Sequence, residues 1–408
     1  MEGFGAAMTD SSAYVIYNSP IRHKIMQELF GRGPGQLGVG YIRVPIGSSD
    51  LNAVSPHSYD YMPQGQTDYN MEHFSIDKDK AYIIPIIKEA LNINPNLRIL
   101  ASPWSGPAWM KDPYGLFGGH LKGDWNTLHA FALYLCKFIE AYQAEGIPIT
   151  TLTVQNEPTL QIHDYPTMII NLDLMKVFIK DHIGPMMRQR NITTKLLAWD
   201  FNWSNDQYPE ALVNDAAVRQ YLSGIAWHGY DGRHDTPGKF QYFHSDIDQY
   251  MTEFSGGAWD DGIFSNQLVH FSRNIFIGQA LAWCKGIMLW NLALDENHGP
   301  KKNVGGCSTC RGVITVPSHS STYEKWAEYY SMAHMSMFVD QGAQRVEVAH
   351  DFGWDNLHAT AFMNPDGTTV VVVLNANQHN SASFYIAIDA KHYQYENLPP
   401  QSIATFVK

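Results

Sequence analysis

The stretch "GIPITTLTVQNEP", residues 146–158, is an apolar and β-branched run that ends on a carboxylate. Short continuous runs of such residues are typical of buried strands. Pro158 lacks the amide hydrogen that a sheet ladder needs, so the strand should end at Asn156-Glu157. The stretch therefore predicts a buried strand whose end carries an ionisable group.

Similar runs recur along the chain, and helical patterns separate most of them. The eight runs are "GFGAAMTD", "GVGYIRVPIGSSD", "RILASPWSGPAW", "TLTVQNEP", "KLLAWDFNW", "GIAWHGYDG", "QYMTEFSGG" and "GIMLWNLALD". Between the sixth and seventh runs we expect only a short irregular link around "HSDIDQ", residues 244–249. Strand then helix, repeated eight times, predicts an α/β fold, a (β/α)8 TIM barrel.

The pattern changes after Asp340 to short strands without helices between them. The strings are "RVEVA", "LHATAFMNPDGTTVVVVLNAN", "SFYIAI" and "SIATFVK", with Asn-Pro-Asp-Gly as a turn inside the second. We expect residues 1–340 to form the barrel and residues 341–408 to form a small C-terminal antiparallel β-sandwich.

The overall charge limits the partners. The 408 residues include 40 acidic and 28 basic side chains, a formal charge of -12. This balance argues against nucleic acid or an anionic membrane as the main partner. The chain has no apolar run long enough to predict a transmembrane segment and no signal peptide at its start, so its compartment stays open, with a secreted or extracytoplasmic location favoured.

Four cysteines are too few for a disulfide-built scaffold. Cys307 and Cys310 form one Cys-x-x-Cys, which without a second pair is a poor zinc site. We expect a local disulfide or loop staple there, and no metal site.

Polar and aromatic residues mark the ends of the predicted strands, where the chemistry of such barrels takes place. These residues are Asp10, Arg43, Asp50, Trp104, Asn156, Glu157, Asp200, Asn202, Trp203, His228, Tyr230, Glu253, Trp290 and Asn291. Each has an ordinary structural interpretation, because strand-end Asp and Asn often cap helices, Trp is usually core and a lone His is usually a neutral, hydrogen-bonded residue.

Glu157 and Glu253 are the exception, because each ends an apolar strand and those strands are the fourth and seventh. Two facing carboxyl groups about 5–5.5 Å apart are what retaining glycoside hydrolysis requires, one as nucleophile and one as proton donor. Arg43 could hold the nucleophile ionised. A buried ion-pair network is the alternative, but it would not account for Asn156 beside Glu157 or for the aromatic residues.

These residues stand in strings that resemble glycoside hydrolase family 30, most closely its glucosylceramidase (acid β-glucosidase) branch. The strings run in order along nearly the whole chain: "GFGAAMTDSSA", "YIRVPIGSSD", "LASPWSGPAWMK", "TVQNEP", "MTEFSGG", "NLALDENHGP" and "NPDGTTVVVVLN". The resemblance implies a retaining β-glycosidase with a (β/α)8 barrel and an attached β-sandwich, and no cofactor.

The resemblance also implies roles for individual residues. Glu157 would be the acid/base, Glu253 the nucleophile and Arg43 its support. The substrate-binding residues would be Asp50, Trp104, Asn156, His228, Tyr230 and Trp290, with Asn156 on the sugar 2-hydroxyl and Tyr230 near the nucleophile.

The chain departs from the family pattern at several places. Gly229 stands where the animal lysosomal enzymes have Trp, and Phe131 stands where another sugar-stacking Trp would align. The loop "KKNVGGCSTCRG" differs from the animal form. The chain begins at the first barrel strand, so either the N-terminal sandwich strands are absent from it or the sandwich is smaller. These departures bear on the aglycone.

The predicted substrate is a carbohydrate or a glycolipid. A glucosylceramidase-like or broad β-glucosidase activity is expected first, with an endo-β-1,6-glucanase or a β-xylosidase/β-fucosidase as the alternative. A carbohydrate-binding protein without catalysis is a remote third, since binding alone would not need two facing glutamates. The oligomeric state stays open.

Overall fold

The computed structural model describes residues 1–302, 305–349 and 356–408. Eight parallel strands form a closed barrel and follow one another around it in chain order. They are β1 Gly3–Ala7, β2 Tyr41–Ile46, β3 Arg98–Pro103, β4 Thr151–Thr153, β5 Lys195–Asn202, β6 Gly224–His228, β7 Asp248–Glu253 and β8 Cys284–Asn291. Each lies within one of the eight predicted runs or at its edge, so the TIM-barrel prediction is confirmed.

The barrel interior is a packed core below the mouth. A fully buried layer consists of Tyr41, Leu100, Leu197, Ala226, Tyr250 and Met288. Side chains two apart on a strand share a face, so Arg43 follows Tyr41 on the inside, one layer nearer the carboxyl end. This register places a cation inside the barrel at the mouth.

Helices surround the barrel, with their apolar faces against the outer faces of the strands. They are α1 Asp10–Asn18, α2 Arg22–Phe30, α3 Ile83–Ile93, α4 Trp125–Ala144, α5 Leu172–Val177, α6 Gly184–Gln189, α7 Gln207–Val213, α8 Ala216–Arg219, α9 Thr236–Phe243, α10 Phe264–His270, α11 Gly278–Leu281 and α12 Ala327–Ser336. Single π-helical stretches join α5 to α6 (Phe178–Ile183) and α10 to α11 (Phe271–Ile277). Short 3₁₀ turns span Asp77–Ala81 and Ala108–Met110. None of the helices in the described part of the chain combines the length and apolarity that crossing a membrane requires.

The connection between β6 and β7 contains a helix, whereas the sequence predicted only an irregular link. Helix α9 precedes residues 244–249 and carries Pro at its start. Pro in the first helical turn is compatible with a helix, because the missing amide hydrogen has no intrahelical partner there. Pro237 and Gly238 together hid this helix from a periodicity argument.

Among the described residues after the barrel, six further strands make two antiparallel sheets. They are β9 Gln344–Val346, β10 Leu357–Met363, β11 Thr369–Asn375, β12 Ala382–Ile388, β13 Lys391–Leu398 and β14 Ser402–Val407. One sheet has the order β9-β10-β11-β14 and the other pairs β12 with β13. Ala361, Val371, Val373, Phe384 and Leu398 pack together as their core, which confirms the predicted β-sandwich. Strand β13 was not predicted from the sequence.

Other short strands flank the mouth, and one loop there carries a disulfide. Two-residue strands pair Lys111–Asp112 with His120–Leu121, and Ile314–Thr315 with both Ala293–Leu294 and Glu324–Lys325. Cys307 and Cys310 are disulfide-bonded, as predicted from their spacing.

Candidate active site

The carboxyl ends of the strands bring the predicted ionisable residues into one hydrogen-bonded network. Arg43 comes from β2, Asp200 from β5, His228 from β6 and Glu253 from β7. Glu157 lies just beyond β4 and joins the network through His228. Residues from five different strand ends therefore converge on one point.

Asp200 is the buried centre of this network. One of its oxygens accepts a hydrogen bond from Arg43 at 2.7 Å, and the other lies 3.1 Å from Nε2 of His228. Hydroxyl groups also donate to it, from Ser102 at 2.6 Å, Thr153 at 2.7 Å and Thr252 at 2.7 Å. Burial alone would raise the pKa of Asp200, but Arg43 and His228 hold it well below its ordinary value. Asp200 is therefore ionised.

Two residues of the network have a left-handed backbone. Asp200 has φ 56° beside an irregularity in the pairing of β5 with β6, and Glu157 has φ 47°. The amide of Glu157 donates to the carbonyl of Asp200 at 3.0 Å, so the two positions support each other. Non-glycine residues adopt this conformation at a cost, and such positions often lie at functional sites. Both residues therefore lie at strained positions of the network.

Glu253 is held by two donors. Arg43 forms a close ion pair with Oε2, and the hydroxyl of Tyr230 donates to Oε1 at 3.0 Å. Charge-assisted bonds of this kind are stronger than neutral ones and fix the orientation of the carboxyl group. Arg43 also donates to Oδ1 of Asn156 at 2.7 Å. One fully buried guanidinium thus orients Glu253 and Asn156 together.

The imidazole of His228 lies between Glu157 and Asp200. Its Nδ1 lies 3.0 Å from Glu157 and its Nε2 3.1 Å from Asp200. Burial alone would lower the pKa of His228, but the negative charges of Glu253, Asp200 and Glu157 raise it to about 9. The ring is therefore protonated at neutral pH and donates from both nitrogens.

Glu157 lies in a desolvated position. Burial raises the pKa of Glu157, and the hydrogen bond from His228 only partly offsets that effect. Its side chain keeps 12% of its surface exposed, which leaves it accessible from the mouth. A carboxyl group with a raised pKa that faces the mouth is suited to donating a proton.

Glu157 and Glu253 are close to each other. One ligand-type atom from each, and one from His228, lie within 4.8 Å of one another. Such a group can in principle hold a metal ion, but a protonated imidazole has no free lone pair for one. The arrangement is suited to proton transfer and nucleophilic attack between facing carboxyl groups.

An aromatic wall lies beside the network. The rings of Trp104 and Trp290 stack with centroids 5.1 Å apart. The Arg43 guanidinium sits 4.5 Å from the Trp104 ring and 5.6 Å from the Trp290 ring. Both tryptophans are almost fully buried and pack with Leu51, Cys310 and the half-buried Tyr165. The predicted aromatic residues are therefore next to the carboxylates.

The disulfide loop closes the wall at Asp50. The amide of Cys307 donates to Oδ2 of Asp50 at 3.2 Å. A side chain at Gly306, which has φ 80°, would come within 2.5 Å of Asp50 Cβ. Burial, and then the charge of Glu253, raises the pKa of Asp50 to about 7. The loop thus packs directly on a predicted substrate ligand.

The structure shows how the chain packs at two positions where it departs from the family pattern. Phe131 is fully buried in α4 and packs on Phe178 with centroids 5.1 Å apart, so it cannot stack on a sugar. Gly229 lies where a Cβ atom would come within 3.0 Å of Met251, Trp203 and Phe254 side chains. A larger residue at Gly229 would need those neighbours to move.

Other strand-end residues have structural roles. Asp10 accepts from the Ala53 amide and the Tyr82 hydroxyl, both at 2.6 Å. Asn202 accepts from the Tyr230 amide at 3.1 Å, and so positions Tyr230 without facing the carboxylates itself. The structural interpretation holds for these two residues.

Two contributors were missed in the sequence. Asp200 was noted only as a strand-end residue, since nothing in its local sequence shows that β2, β5 and β6 side chains converge on it. Tyr165 follows no strand directly, yet burial and the charges of Glu157, Asp50 and Glu253 raise its pKa, which places it near them. Its loop position gave no signal in the pattern.

The chain belongs to glycoside hydrolase family 30. The profile of the glycosyl hydrolase family 30 TIM-barrel domain matches residues 1–339, and that of the family's β-sandwich domain matches residues 342–406. The fold and the convergent carboxylates agree with a glycoside hydrolase, whose substrates are carbohydrates.

The individual relatives are named for two different activities, endo-1,6-β-glucanase and glucosylceramidase. An endo-1,6-β-D-glucanase, neg1, of Aspergillus fumigatus is 30% identical, over 99% of this chain and 84% of its own. A putative glucosylceramidase 4 of Caenorhabditis elegans is 32% identical, over 99% of this chain and 80% of its own. Among solved structures, an endo-β1,6-glucanase matches with a TM-score of 0.91 and 32% identity, over 100% of this chain and 91% of that one.

Proposed function

We propose that this protein is a retaining β-glycosidase that cleaves β-1,6-glucan from within the chain. The observation that carries the substrate is the full-length similarity to endo-β-1,6-glucanases, in sequence and in structure. This reverses the order expected from the sequence, in which the glucosylceramidase-like activity came first. The β-1,6-glucanase alternative has the better support.

The retaining mechanism is supported by the spacing of the glutamates. Retaining enzymes place their carboxyl groups about 5–5.5 Å apart, whereas inverting enzymes leave roughly 6.5–9.5 Å for a water. One carboxylate oxygen of Glu157 and one of Glu253 lie within 4.8 Å of each other, which is an atom-to-atom limit and agrees with the shorter of the two spacings. That separation favours direct attack by a carboxylate on the sugar.

Glu253 is the proposed nucleophile and Glu157 the proposed acid/base. Arg43 and Tyr230 hold the Glu253 carboxyl group in one orientation, with a cation beside it, as a nucleophile requires. Burial keeps a proton on Glu157 to a higher pH than usual, as an acid requires.

The reaction then takes two steps. Glu253 attacks the anomeric carbon while Glu157 gives its proton to the departing glycosidic oxygen. Glu157, now a carboxylate that His228 hydrogen-bonds, takes a proton from a water that attacks the glycosyl-enzyme. Glu253 leaves, and the configuration at the anomeric carbon is retained.

Sugar binding is assigned to the groups around the carboxylates. Arg43 occupies Oδ1 of Asn156, so the amide nitrogen is the group left to donate to a sugar hydroxyl. Asp50 lies on the same side as the tryptophan wall and can accept from a hydroxyl. Trp104 and Trp290 form the apolar wall behind these groups.

The experiment compares products from four substrates. Purified enzyme is incubated with β-1,6-glucan, β-1,3-glucan, glucosylceramide and an aryl β-glucoside, with Glu253→Gln as the blank. We expect β-1,6-linked oligosaccharides from the first polymer, none from β-1,3-glucan, and no activity in the blank.

Two outcomes would change the proposal. Glucose from glucosylceramide with β-1,6-glucan untouched would restore the glucosylceramidase-like function that the Caenorhabditis relative's name favours. Full activity in Glu253→Gln would refute the catalytic assignment whatever the substrate.

A further inference from the structure

A second cluster of ionisable side chains lies outside the network just described, in the loop that follows β2. It consists of Asp60, Asp68 and His73. One carboxylate oxygen from each aspartate and one ring nitrogen of the histidine lie within 4.8 Å of one another. None of the three takes part in the proposed reaction.

Asp60 is the buried member of the cluster. It keeps only 1% of its surface exposed, and its Oδ2 accepts from the indole Nε1 of Trp109 at 2.5 Å. Its Oδ1 is also buried, and no donor within the described residues reaches it. A buried carboxylate oxygen without a partner is costly, so this oxygen calls for a ligand.

Asp68 and His73 complete the group. Oδ2 of Asp68 accepts from the His73 amide at 2.8 Å and lies 3.0 Å from its Nδ1. Asp68 is buried, whereas the His73 side chain is 63% exposed. Two buried carboxyl groups this close repel each other when both are ionised, unless a cation lies between them; without a cation they must share a proton.

We propose that Asp60, Asp68 and His73 bind a divalent transition metal, with Zn²⁺ as the best-suited ion. Two carboxylate oxygens and one imidazole nitrogen are a common donor set for such ions, and Zn²⁺ completes a four-coordinate site with water. Ca²⁺ and Mg²⁺ prefer oxygen ligands alone. Bonds of about 2.0–2.2 Å need the ligand atoms to draw closer, which the exposed histidine permits.

The site would stabilise a loop beside the mouth. Asp60 contacts Trp109 of the loop after β3, so an ion there ties the β2 and β3 loops together. Tyr61, next in the chain and 70% exposed, lines a surface depression with Tyr114 and Phe117. A metal at Asp60 would therefore order this aromatic surface without touching the catalytic carboxylates.

The test measures Zn²⁺ binding by isothermal titration calorimetry, on enzyme freed of metal with a chelator. The variants are Asp68→Asn and His73→Gln, and Asn keeps an oxygen that can accept from the His73 amide. The matched control is His23→Gln, because His23 also pairs with a carboxylate, Glu89, at 2.7 Å on the surface.

We expect one equivalent of Zn²⁺ to bind to the wild type and to raise its melting temperature. Both cluster variants should bind at least 10-fold more weakly with unchanged hydrolysis of an aryl glycoside, and His23→Gln should bind like the wild type. Absence of saturable binding would refute the site and would indicate that Asp60 and Asp68 share a proton. Zn²⁺ binding that survives both variants would also refute the site, since the ion would then lie elsewhere. Equal affinity for Ca²⁺ would refute the assignment to a transition metal.

Discussion

Glu253 receives its two donors from different strand ends. Arg43 reaches it from β2, and Tyr230 reaches it from the loop after β6. Arg43 supplies charge, and it is buried beneath Trp104, where water cannot screen it. Tyr230 supplies direction, because its ring is held against Phe254 with centroids 5.6 Å apart.

Replacing Tyr230 by Phe should remove the hydrogen bond that orients Glu253 while leaving the positive charge of Arg43 beside it. A hydrogen bond to a charged group contributes about 1.5–3 kcal/mol, so we expect kcat on an aryl β-glucoside to fall by roughly 10- to 100-fold. Steady-state kinetics measures the effect. The control is Tyr142→Phe, which removes a 2.6 Å bond to the Asp79 carboxylate outside the site and should leave kcat unchanged. An unchanged kcat in Tyr230→Phe would show that Arg43 alone positions Glu253.

His228 makes folding stability depend on pH. Its folded pKa of about 9 exceeds the ordinary value of 6.5. Its contribution is therefore fully present below pH 6.5 and is lost as pH rises through 9. We expect the free energy of unfolding to fall by roughly 3 kcal/mol across that window, as measured by urea denaturation.

The variant His228→Gln should flatten this dependence, because its side chain does not titrate. His334→Gln is the control, since burial lowers the pKa of His334 to about 4 and leaves it neutral across the whole window. If wild type and His228→Gln show the same slope between pH 6.5 and 9, His228 is not cationic in the folded protein.

At the scale of elements, the disulfide loop positions one predicted substrate-binding residue at the mouth. The disulfide loop holds Asp50 through one backbone amide. The disulfide closes a loop of only a few residues, and such short loops add little to global stability. Its effect should therefore be local.

Replacing Cys307 and Cys310 together by Ser should raise KM for β-1,6-gluco-oligosaccharides by about 2- to 10-fold, because Asp50 loses a positioned donor. The melting temperature should change little. A thiol reductant should reproduce the higher KM in the wild type and have no effect on the double variant. An unchanged KM in both tests would show that the loop holds Asp50 without the disulfide.

The loop after β6 packs against its neighbours at Gly229. The nearest atoms to an added Cβ would be Met251 at 2.8 Å, Trp203 at 2.9 Å and Phe254 at 3.0 Å. Side chains in a packed core yield little, and overpacking costs about 1–3 kcal/mol. We expect Gly229→Ala to lower the free energy of unfolding by that amount in urea denaturation.

Gly40→Ala is the control for Gly229→Ala. Its added Cβ would come no nearer than 3.8 Å to Gly3, so it should be close to neutral. A neutral Gly229→Ala would mean that the three neighbours move freely and that this loop tolerates a larger residue.

At the scale of the whole molecule, the alternation of strand and helix was readable because buried strands are apolar and end on polar residues. The eight barrel strands follow from that pattern. Strand β13 does not, because most of its side chains are exposed and polar, so no apolar face marks it. Helix α9 was also missed because it lacks a clear apolar pattern. It is short and carries Pro and Gly in its first turn.

The site was readable only in part. Glu253 ends its strand and Glu157 ends an apolar run, although β4 itself stops at Thr153, four residues before Glu157. An ionisable group is conspicuous at the end of such a run. The role of Asp200 was hidden, because its partners lie on strands up to 157 positions away in sequence. Phe131, which stands where the family pattern has a sugar-stacking Trp, is buried on α4, and the sequence alone did not show this.

The most direct test is the configuration of the first product from β-1,6-glucan, followed by proton NMR at its anomeric centre. We predict reducing-end oligosaccharides that appear first as the β-anomer and then mutarotate, because a double displacement through Glu253 inverts the anomeric centre twice. If the α-anomer appears first, Glu253 is not a nucleophile and the double displacement is wrong.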